Sequence, residues 1–116
     1  MSNITWAVNE KGEGQIRLQG KMTVERASAL HETFLATMRK CATTRVDLEQ
    51  VEDVDLTFFQ LICSGYKYAK KEGKMLSVTN IPSLVALKAR RMGFTRKNMD
   101  GYFWRGEEHA QENHDG

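Results

Sequence analysis

The chain has 116 residues, of which 41% are hydrophobic and 28% are charged. This length fits a single globular domain, because domains usually contain roughly 100–150 residues. Seventeen Lys and Arg residues against 15 Asp and Glu residues leave a formal charge of +2, well short of the basic excess that is typical of nucleic-acid-binding domains. A core of this size is stable without a disulfide or a structural metal, so the composition requires no cofactor and indicates no nucleic-acid partner.

The cysteines and the N-terminal residues bear on the cellular compartment. Cys41 and Cys63 form no CxxC pair and predict neither a disulfide framework nor a zinc or redox site, so we expect both to be reduced and buried. The first residues lack a basic segment followed by an apolar one, and no run approaches the roughly 18–20 apolar residues of a membrane-spanning helix. We therefore expect a cytoplasmic protein without a membrane segment.

The first part of the chain predicts a hairpin followed by a helix. Apolar and polar residues alternate on either side of the turn sequence at 9–14, which predicts two half-buried strands. From Thr23 the apolar spacing changes to three or four residues and predicts an amphipathic helix with Thr23 as its N-cap. The apolar positions of this helix are Val24, Ala27, Leu30, Phe34, Met38 and Cys41.

Two more strands and a second helix follow. Residues 44–48 predict a buried strand, and residues 75–79 predict another. Residues 49–57 predict a polar loop whose valines point back to the core. A helix is expected to begin near Thr57 and to end before Gly73. Its apolar positions are Phe58, Phe59, Ile62, Tyr66 and Ala69.

A last helix is predicted to have Pro82 in its first turn and to stop at Gly93. Its apolar positions are Leu84, Val85, Leu87 and Met92. The order β-β-α-β-α-β-α predicts an α/β fold, in which a mixed, mostly parallel sheet carries helices packed on it. We expect one domain over residues 1–104 and a polar, flexible tail over residues 105–116. The aromatic residues that end the domain, expected either to close the core or to mark a partner or dimer surface, are Tyr102, Phe103 and Trp104.

Familiar catalytic and cofactor-binding motifs are absent from the sequence. It contains no phosphate-binding glycine loop, dinucleotide fingerprint, nucleophile elbow or zinc helix. His31, His109 and His114 are dispersed, and the acidic residues between 47 and 55 are typical of a solvated loop near a helix N-terminus. We therefore expect no enzyme, no cofactor and no metal site. A small-ligand cleft is the lower-ranked alternative, because no glycine-rich cradle is present.

Thr57 has two interpretations from the residues alone. A hydroxyl at a helix start can be the N-cap that accepts hydrogen bonds from unpaired N–H groups. It can also be a phosphate acceptor on an interaction surface. Taken alone, the segment VDLTFF at 54–59 favours the cap.

A longer stretch resembles a known family. Residues 45–62 (RVDLEQVEDVDLTFFQLI) and 66–78 (YKYAKKEGKMLSV) resemble the core of the STAS domain, the family of bacterial anti-sigma factor antagonists. The family pattern is a strand ending in Asp-Leu, a V-x-x-[ILVM]-D-[ST]-[ST]-G loop entering a helix, then a glycine and another strand. Residues 16–23 (IRLQGKMT) are similar to its L-x-G-x-[LI]-[DT] junction, and residues 84–94 to its last helix. Two positions of the loop depart from the pattern, Leu56 for a hydroxyl residue and Phe58 for the glycine.

The resemblance implies a non-enzymatic binding module that changes partners on phosphorylation. Thr57 stands at the position of the phosphorylated Ser or Thr, and Asp55 is retained to position it. The resemblance implies a docking surface that contains Asp55, Lys21, Met22, Thr23, Phe58 and Phe59.

The implied partners are an anti-sigma factor or serine/threonine protein kinase and a phosphatase, and a homodimer stays open. The alternative within the family is a constitutive adaptor, or an accessory subunit of a phospholipid-transport ABC system, whose partner is an ATPase subunit. The regulatory tail of an anion transporter is disfavoured, because the sequence predicts no membrane segment.

Overall fold

The computed structural model describes residues 2–94. In chain order its elements are β1 (Asn3–Val8), β2 (Gly14–Met22), a 3-10 turn (Val24–Arg26), α1 (Ala27–Lys40), β3 (Thr43–Val54), α2 (Leu56–Lys71), β4 (Met75–Thr79) and α3 (Ser83–Arg91). The predicted α/β class and element order are confirmed. The predictions for Tyr102, Phe103 and Trp104 and for the tail 105–116 fall outside the described residues.

The four strands form one sheet in the order β1-β2-β3-β4. β1 and β2 are the predicted antiparallel hairpin, whereas β2–β3 and β3–β4 are parallel pairs connected through α1 and α2. Parallel connections are right-handed in nearly all proteins, which places α1 and α2 on the same face of the sheet. Alternate residues of β2 are accordingly buried from Gly14 to Met22, while the residues between them are exposed. Within residues 2–94, one face of the sheet therefore packs against the core and the other carries exposed residues.

The helices bury the residues that their period places on one side. For α1 these include Leu30, Phe34 and Met38, and for α2 they are Phe58, Phe59, Ile62, Tyr66 and Ala69 together with Gly65. The glycine stop of α3 is confirmed as well. Gly93 has a φ of 88°, and the Phe94 N–H donates to the Ala89 carbonyl at 2.8 Å. Phe94 then stacks on Phe59, with 5.2 Å between the ring centroids.

β3 is longer than predicted, because residues 49–54, expected in a polar loop, continue the strand. Between residues 47 and 50, and again between 51 and 53, β3 advances one residue more than β2. An extra residue in one strand is a β-bulge, which interrupts the inside–outside alternation. The bulges bury apolar residues at a spacing of three, so the segment lacks the alternation by which a strand is recognised in a sequence. These residues are Leu48, Val51 and Val54.

The prediction that Thr23 caps the first helix is wrong. A 3-10 turn separates Thr23 from α1, and the Thr23 side chain makes no capping hydrogen bond. The Val24 N–H is bound instead by the Asp55 carboxylate. The Val24 side chain, predicted to lie in the core, is exposed, because the 3-10 turn places it before the first turn of α1.

α3 and β1 expose apolar residues that were predicted to be buried. α3 follows Pro82, which is its N-cap and not part of its first turn. The residues that α3 buries are Val85, Ala86 and Ala89, whereas those it exposes are Leu84, Leu87 and Met92. At about 100° per residue, the three buried residues share one side of the helix, and Leu84 and Leu87 lie outside that side. On β1, Trp6 and Val8 are exposed although Ile4 is partly buried.

Gly14 provides a test of the close packing between β2 and α1. A Cβ atom at Gly14 would lie 2.4 Å from Cγ2 of Thr37. We expect Gly14→Ala to lower the free energy of unfolding by about 1–3 kcal/mol, the usual cost of overpacking, as measured by urea denaturation. Thr37→Ser removes the methyl group and keeps the hydroxyl that donates to the Thr33 carbonyl. The double variant should therefore regain part of the loss, and equal loss in both variants would contradict this contact.

Candidate functional site

The two segments that carry the family resemblance meet where the parallel strands β2 and β3 end. Lys21 pairs with Asp53 and Met22 with Val54, so the ends of β2 and β3 lie side by side. In parallel strands this is the edge where the following helices begin. The 3-10 turn and the first turn of α2 therefore direct their unpaired N–H groups to the same place.

Asp55 connects these two helix starts. Its Oδ2 accepts a hydrogen bond from the Val24 N–H at 2.9 Å, and its Oδ1 accepts one from the Phe58 N–H at 3.2 Å. The second bond is the N-cap of α2, and the first fixes the beginning of the 3-10 turn. One carboxylate thus pairs a donor from each of two chain segments. We call this arrangement the Asp55 clamp, formed by Asp55, Val24 and Phe58.

Thr57 lies in the first turn of α2 and is not its cap. The N-cap is Asp55, and Thr57 is the second helical residue, so the capping interpretation of Thr57 is wrong. Its side chain is half-buried. Within residues 2–94 the Thr57 hydroxyl makes no hydrogen bond. Backbone N–H groups and the helix dipole favour negative charge at this position.

The residues expected on the docking surface separate into exposed and buried ones. Lys21 is exposed, and Thr23 and Asp55 are half-buried. The other three are fully buried and supply core contacts in place of a surface: Met22, Phe58 and Phe59. Phe58 replaces the glycine of the family pattern, and its ring packs edge-on against Phe59, with 5.5 Å between the centroids. The departure from the family pattern therefore adds to the core.

Two exposed apolar side chains border the Asp55 clamp. Val24 is 62% and Leu56 is 47% exposed. The Val24 N–H donates to the Asp55 carboxylate, and Leu56 follows Asp55 in the chain. No local pattern distinguishes them from core residues, because both continue the helical spacing. Only the pairing of β2 with β3 shows that they lie beyond the end of the sheet. We call Val24 and Leu56 the apolar rim of the site.

Lys88 connects α3 to the end of β3. The Lys88 ammonium contacts the Asp53 carboxylate and donates to the Val54 carbonyl at 3.2 Å. The hydrogen bond from Lys88 lowers the pKa of Asp53 below its ordinary value, although burial opposes this; a bond from the Val54 N–H and the charge of Lys21 lower the pKa further. The exposed residue Leu87 is next to Lys88 in α3.

Metal-ligand groups and membrane-spanning helices bear on the kind of site that residues 2–94 can form. No three His, Cys, Asp or Glu side chains within residues 2–94 are grouped to hold a metal ion. None of the helices in that range has both the length and the hydropathy needed to cross a membrane. Cys41 is buried and Cys63 half-buried, and both are free thiols. Burial raises the pKa of the Cys63 thiol, which disfavours the nucleophilic thiolate.

The Asp55 clamp predicts a specific loss on substitution. We expect Asp55→Ala to lower the free energy of unfolding by about 1–2 kcal/mol, because it removes the N-cap of α2 and leaves the Val24 N–H without its acceptor. Hydrogen exchange should accelerate at both the Val24 and the Phe58 amide. Asp55→Asn is the matched variant: it keeps one carbonyl oxygen and should retain protection at only one of the two. Unchanged exchange at Val24 in Asp55→Ala would contradict the clamp.

The pair of Asp53 and Lys88 predicts a dependence of stability on pH. Because the folded-state pKa of Asp53 is lowered, the pair stabilises the fold above the unfolded-state pKa, and this contribution is lost as pH falls through the folded-state pKa. Lys88→Met should raise the Asp53 pKa in a carboxyl NMR titration and flatten the acid limb of stability against pH. The effect on stability is small, because both side chains are more than a third exposed.

Lys67→Met is the control for that titration. Lys67 is exposed on α2 and does not contribute to the lowered pKa of Asp53. An Asp53 pKa that moves equally in the two variants would show that the Lys88 contact is not its cause.

Comparison with known proteins is consistent with this geometry. The family model described as Mlab, STAS domain, matches residues 6–99, and no curated protein matches the chain. Among solved structures, the phosphorylated form of SpoIIAA, a cell fate determinant from Bacillus, is 11% identical with a TM-score of 0.65, covering 78% of this chain and 84% of that chain. An anti-sigma factor antagonist from Mycobacterium paratuberculosis is 15% identical with a TM-score of 0.68, covering 85% and 83%.

The fold also occurs in proteins of another kind. A sulfate transporter family protein from Wolinella succinogenes is 14% identical with a TM-score of 0.65, covering 84% of this chain and 79% of that chain. At such identities these similarities show a shared fold. The family model spans most of the chain, including both segments that meet at Asp55, and the chain therefore belongs to the STAS domain family.

Proposed function

We propose that this chain is a non-enzymatic regulatory module of the anti-sigma factor antagonist kind. It binds a protein partner around the Asp55 clamp and changes partners when Thr57 is phosphorylated. The observation that carries the proposal is the position of Thr57: the second residue of a 16-residue helix, with a hydroxyl that pairs with nothing in residues 2–94.

Phosphorylation at this position would change the local electrostatics in a definite way. A phosphothreonine adds about −1.5 to −2 charge, which the first-turn N–H groups and dipole of α2 favour. The Asp55 carboxylate is close by and repels the phosphate, whereas the exposed Lys21 lies on the neighbouring strand beside Asp53. A partner that covers the apolar rim would have to desolvate the new charge, and its affinity would fall.

The proposed partners follow from this mechanism. They are an anti-sigma factor with serine/threonine kinase activity, which docks and phosphorylates Thr57, and a phosphatase that reverses the modification. The cytoplasm is the proposed location, since both ATP and a sigma factor are present there. The module itself supplies a surface and a phosphate acceptor and performs no chemistry.

A constitutive adaptor is the second candidate, favoured by the residues on both sides of Thr57. Leu56 exposes an apolar side chain where the family pattern has a hydroxyl, and Phe58 is buried where the pattern has glycine. Permanent apolar docking to an ATPase subunit, as in an accessory subunit of a phospholipid-transport ABC system, would use Leu56 directly. The exposed Leu84 and Leu87 of α3 would extend that surface.

The first test is intact-mass and phosphopeptide analysis of the protein from its native host. We expect the mass of one phosphate on the peptide that contains Thr57, and its loss in Thr57→Ala. Ser64→Ala is the matched control, because Ser64 is an exposed hydroxyl residue on the same helix. Absence of phosphate from Thr57 under every growth condition would contradict the switch and favour the constitutive adaptor.

Binding measurements with the co-purified partner separate the two candidates. For a phosphorylation switch, Thr57→Glu should weaken binding at least tenfold, while Thr57→Ala should bind like the wild type, because only the added charge opposes docking. For a constitutive adaptor, Leu56→Ser should cause the larger loss and Thr57→Glu little change. Titration calorimetry on the purified pair measures both.

A further inference from the structure

β1 is an edge strand without the features that usually prevent edges from pairing. Within residues 2–94 no strand pairs with its outer side. Its six residues, NITWAV, include no charged residue and no proline, and its register with β2 is continuous, without a bulge. Natural edge strands usually carry a lysine, a proline or a bulge that blocks addition of another strand. The outer edge of β1 is therefore open to strand addition.

The apolar face of β1 is also incompletely covered. Ile4, Trp6 and Val8 lie opposite the inward-facing residues of β2, so all three point to the helix side of the sheet. Trp6 is nevertheless 38% and Val8 46% exposed, although α1 also contacts β1. At the end of α1, the Lys40 ammonium lies 5.4 Å from the centre of the Trp6 ring.

We propose that the outer edge of β1 pairs with β1 of a second copy of this chain. Two identical strands related by a two-fold axis run antiparallel, and residues directly opposite each other point to the same face. The two four-stranded sheets would then form one continuous sheet. With the axis perpendicular to the sheet, both helix layers lie on the same side.

The apolar pattern of β1 selects one register. If Trp6 faces Trp6 of the partner subunit, Ile4 faces Val8 of the partner subunit, and all three apolar residues of each strand are paired. A shift of one residue would place Ile4 opposite Ala7 of the partner subunit and bring apolar side chains onto opposite faces. A shift of two would leave either Val8 or Ile4, depending on its direction, without an apolar neighbour across the axis.

A second copy fits this edge because β1 carries no charge. Pairing a strand with itself brings identical residues together at the axis, where like charges would repel. The six residues of β1 carry no charge, and the nearby Lys40 ammonium, which belongs to α1, lies over the Trp6 ring. The pairing would also cover Trp6 and Val8 and supply partners for the outward backbone groups. One strand pair is a small interface, so we expect a weak dimer that forms with increasing concentration.

The proposed dimer leaves the Asp55 clamp accessible. β1 pairs with β2 only as far as Gln19 and does not reach the end of the sheet where Asp55 and Thr57 lie. The inference is independent of the proposed function, since dimerisation is measured without a partner or a phosphate.

Sedimentation velocity of the full chain over a wide concentration range tests the proposal. We expect a monomer–dimer equilibrium in the wild type. Trp6→Lys, which places two ammonium groups face to face at the axis, should raise the dissociation constant of the dimer at least tenfold. Met75→Lys is the matched control, because Met75 is an exposed apolar residue on β4, the strand at the opposite side of the sheet formed by residues 2–94. This variant should dimerise like the wild type.

Three outcomes would overturn the proposal: a wild type that stays monomeric at the highest soluble concentration, a Trp6→Lys variant that dimerises normally, or a dimer lost in Met75→Lys. Circular dichroism checks that the variants fold, and Val8→Lys replaces Trp6→Lys if the latter does not. The register has its own test in a Cys63→Ser background. Mixed Ile4→Cys and Val8→Cys chains should form a disulfide readily under oxidation, whereas Val8→Cys alone should not.

Discussion

The carboxylate of Asp55 accepts one backbone hydrogen bond from the 3-10 turn that leads into α1 and one from the first turn of α2. Both crossover connections of the parallel sheet therefore begin at a single side chain. Without it, the Val24 N–H would lose its acceptor, and the two helix starts would lose the side chain that joins them. The position of Thr57 and the exposure of Val24 and Leu56 both follow from this constraint.

The opposite ends of the same helices are connected by a lysine. The Lys74 ammonium donates to the carbonyls of Met38 and Arg39 in the last turn of α1, and the Lys74 N–H bonds to the Ala69 carbonyl at the end of α2. A cation at a helix C-terminus is favoured by the dipole. α1 and α2 are thus joined at their N-terminal ends by an anion and at their C-terminal ends by a cation. Lys88 provides a third connection, from α3 to β3. Contacts of Asp55, Lys74 and Lys88 therefore hold the helices in place around the start of α2.

Periodicity predicted most of the fold because most elements bury one face. The element order, the end of α2 before Gly73, the bounds of β4 and the stop at Gly93 all follow from local spacing and from glycine conformation. The prediction was wrong where the environment overrides the local pattern. Residues 49–54 lack alternation because of the two bulges. α3 turns the side that carries its alanines to the core, which leaves Leu84 and Leu87 exposed.

The candidate site was predictable in its location but not in its details. The resemblance brought together residues 21–23 and 55–59, and the pairing of β2 with β3 places them side by side. It could not indicate that Phe58 fills the core, because a family pattern with glycine at that position says nothing about a large side chain there. Nor could the sequence show that Asp55 caps two segments, since one of its bonds joins residues 31 positions apart.

The bulges of β3 affect how relatives of this chain are aligned with it. Each bulge adds one residue to β3 opposite an unchanged β2. In a relative that lacks one bulge, this strand would be one residue shorter, and the residue after it would still be the aspartate. An alignment that forbids gaps inside strands would then shift the aspartate–threonine segment by one position and compare Thr57 with the wrong residue. A deletion in this strand leaves the start of α2 in place, whereas a deletion inside α2 would rotate its whole apolar face by about 100°.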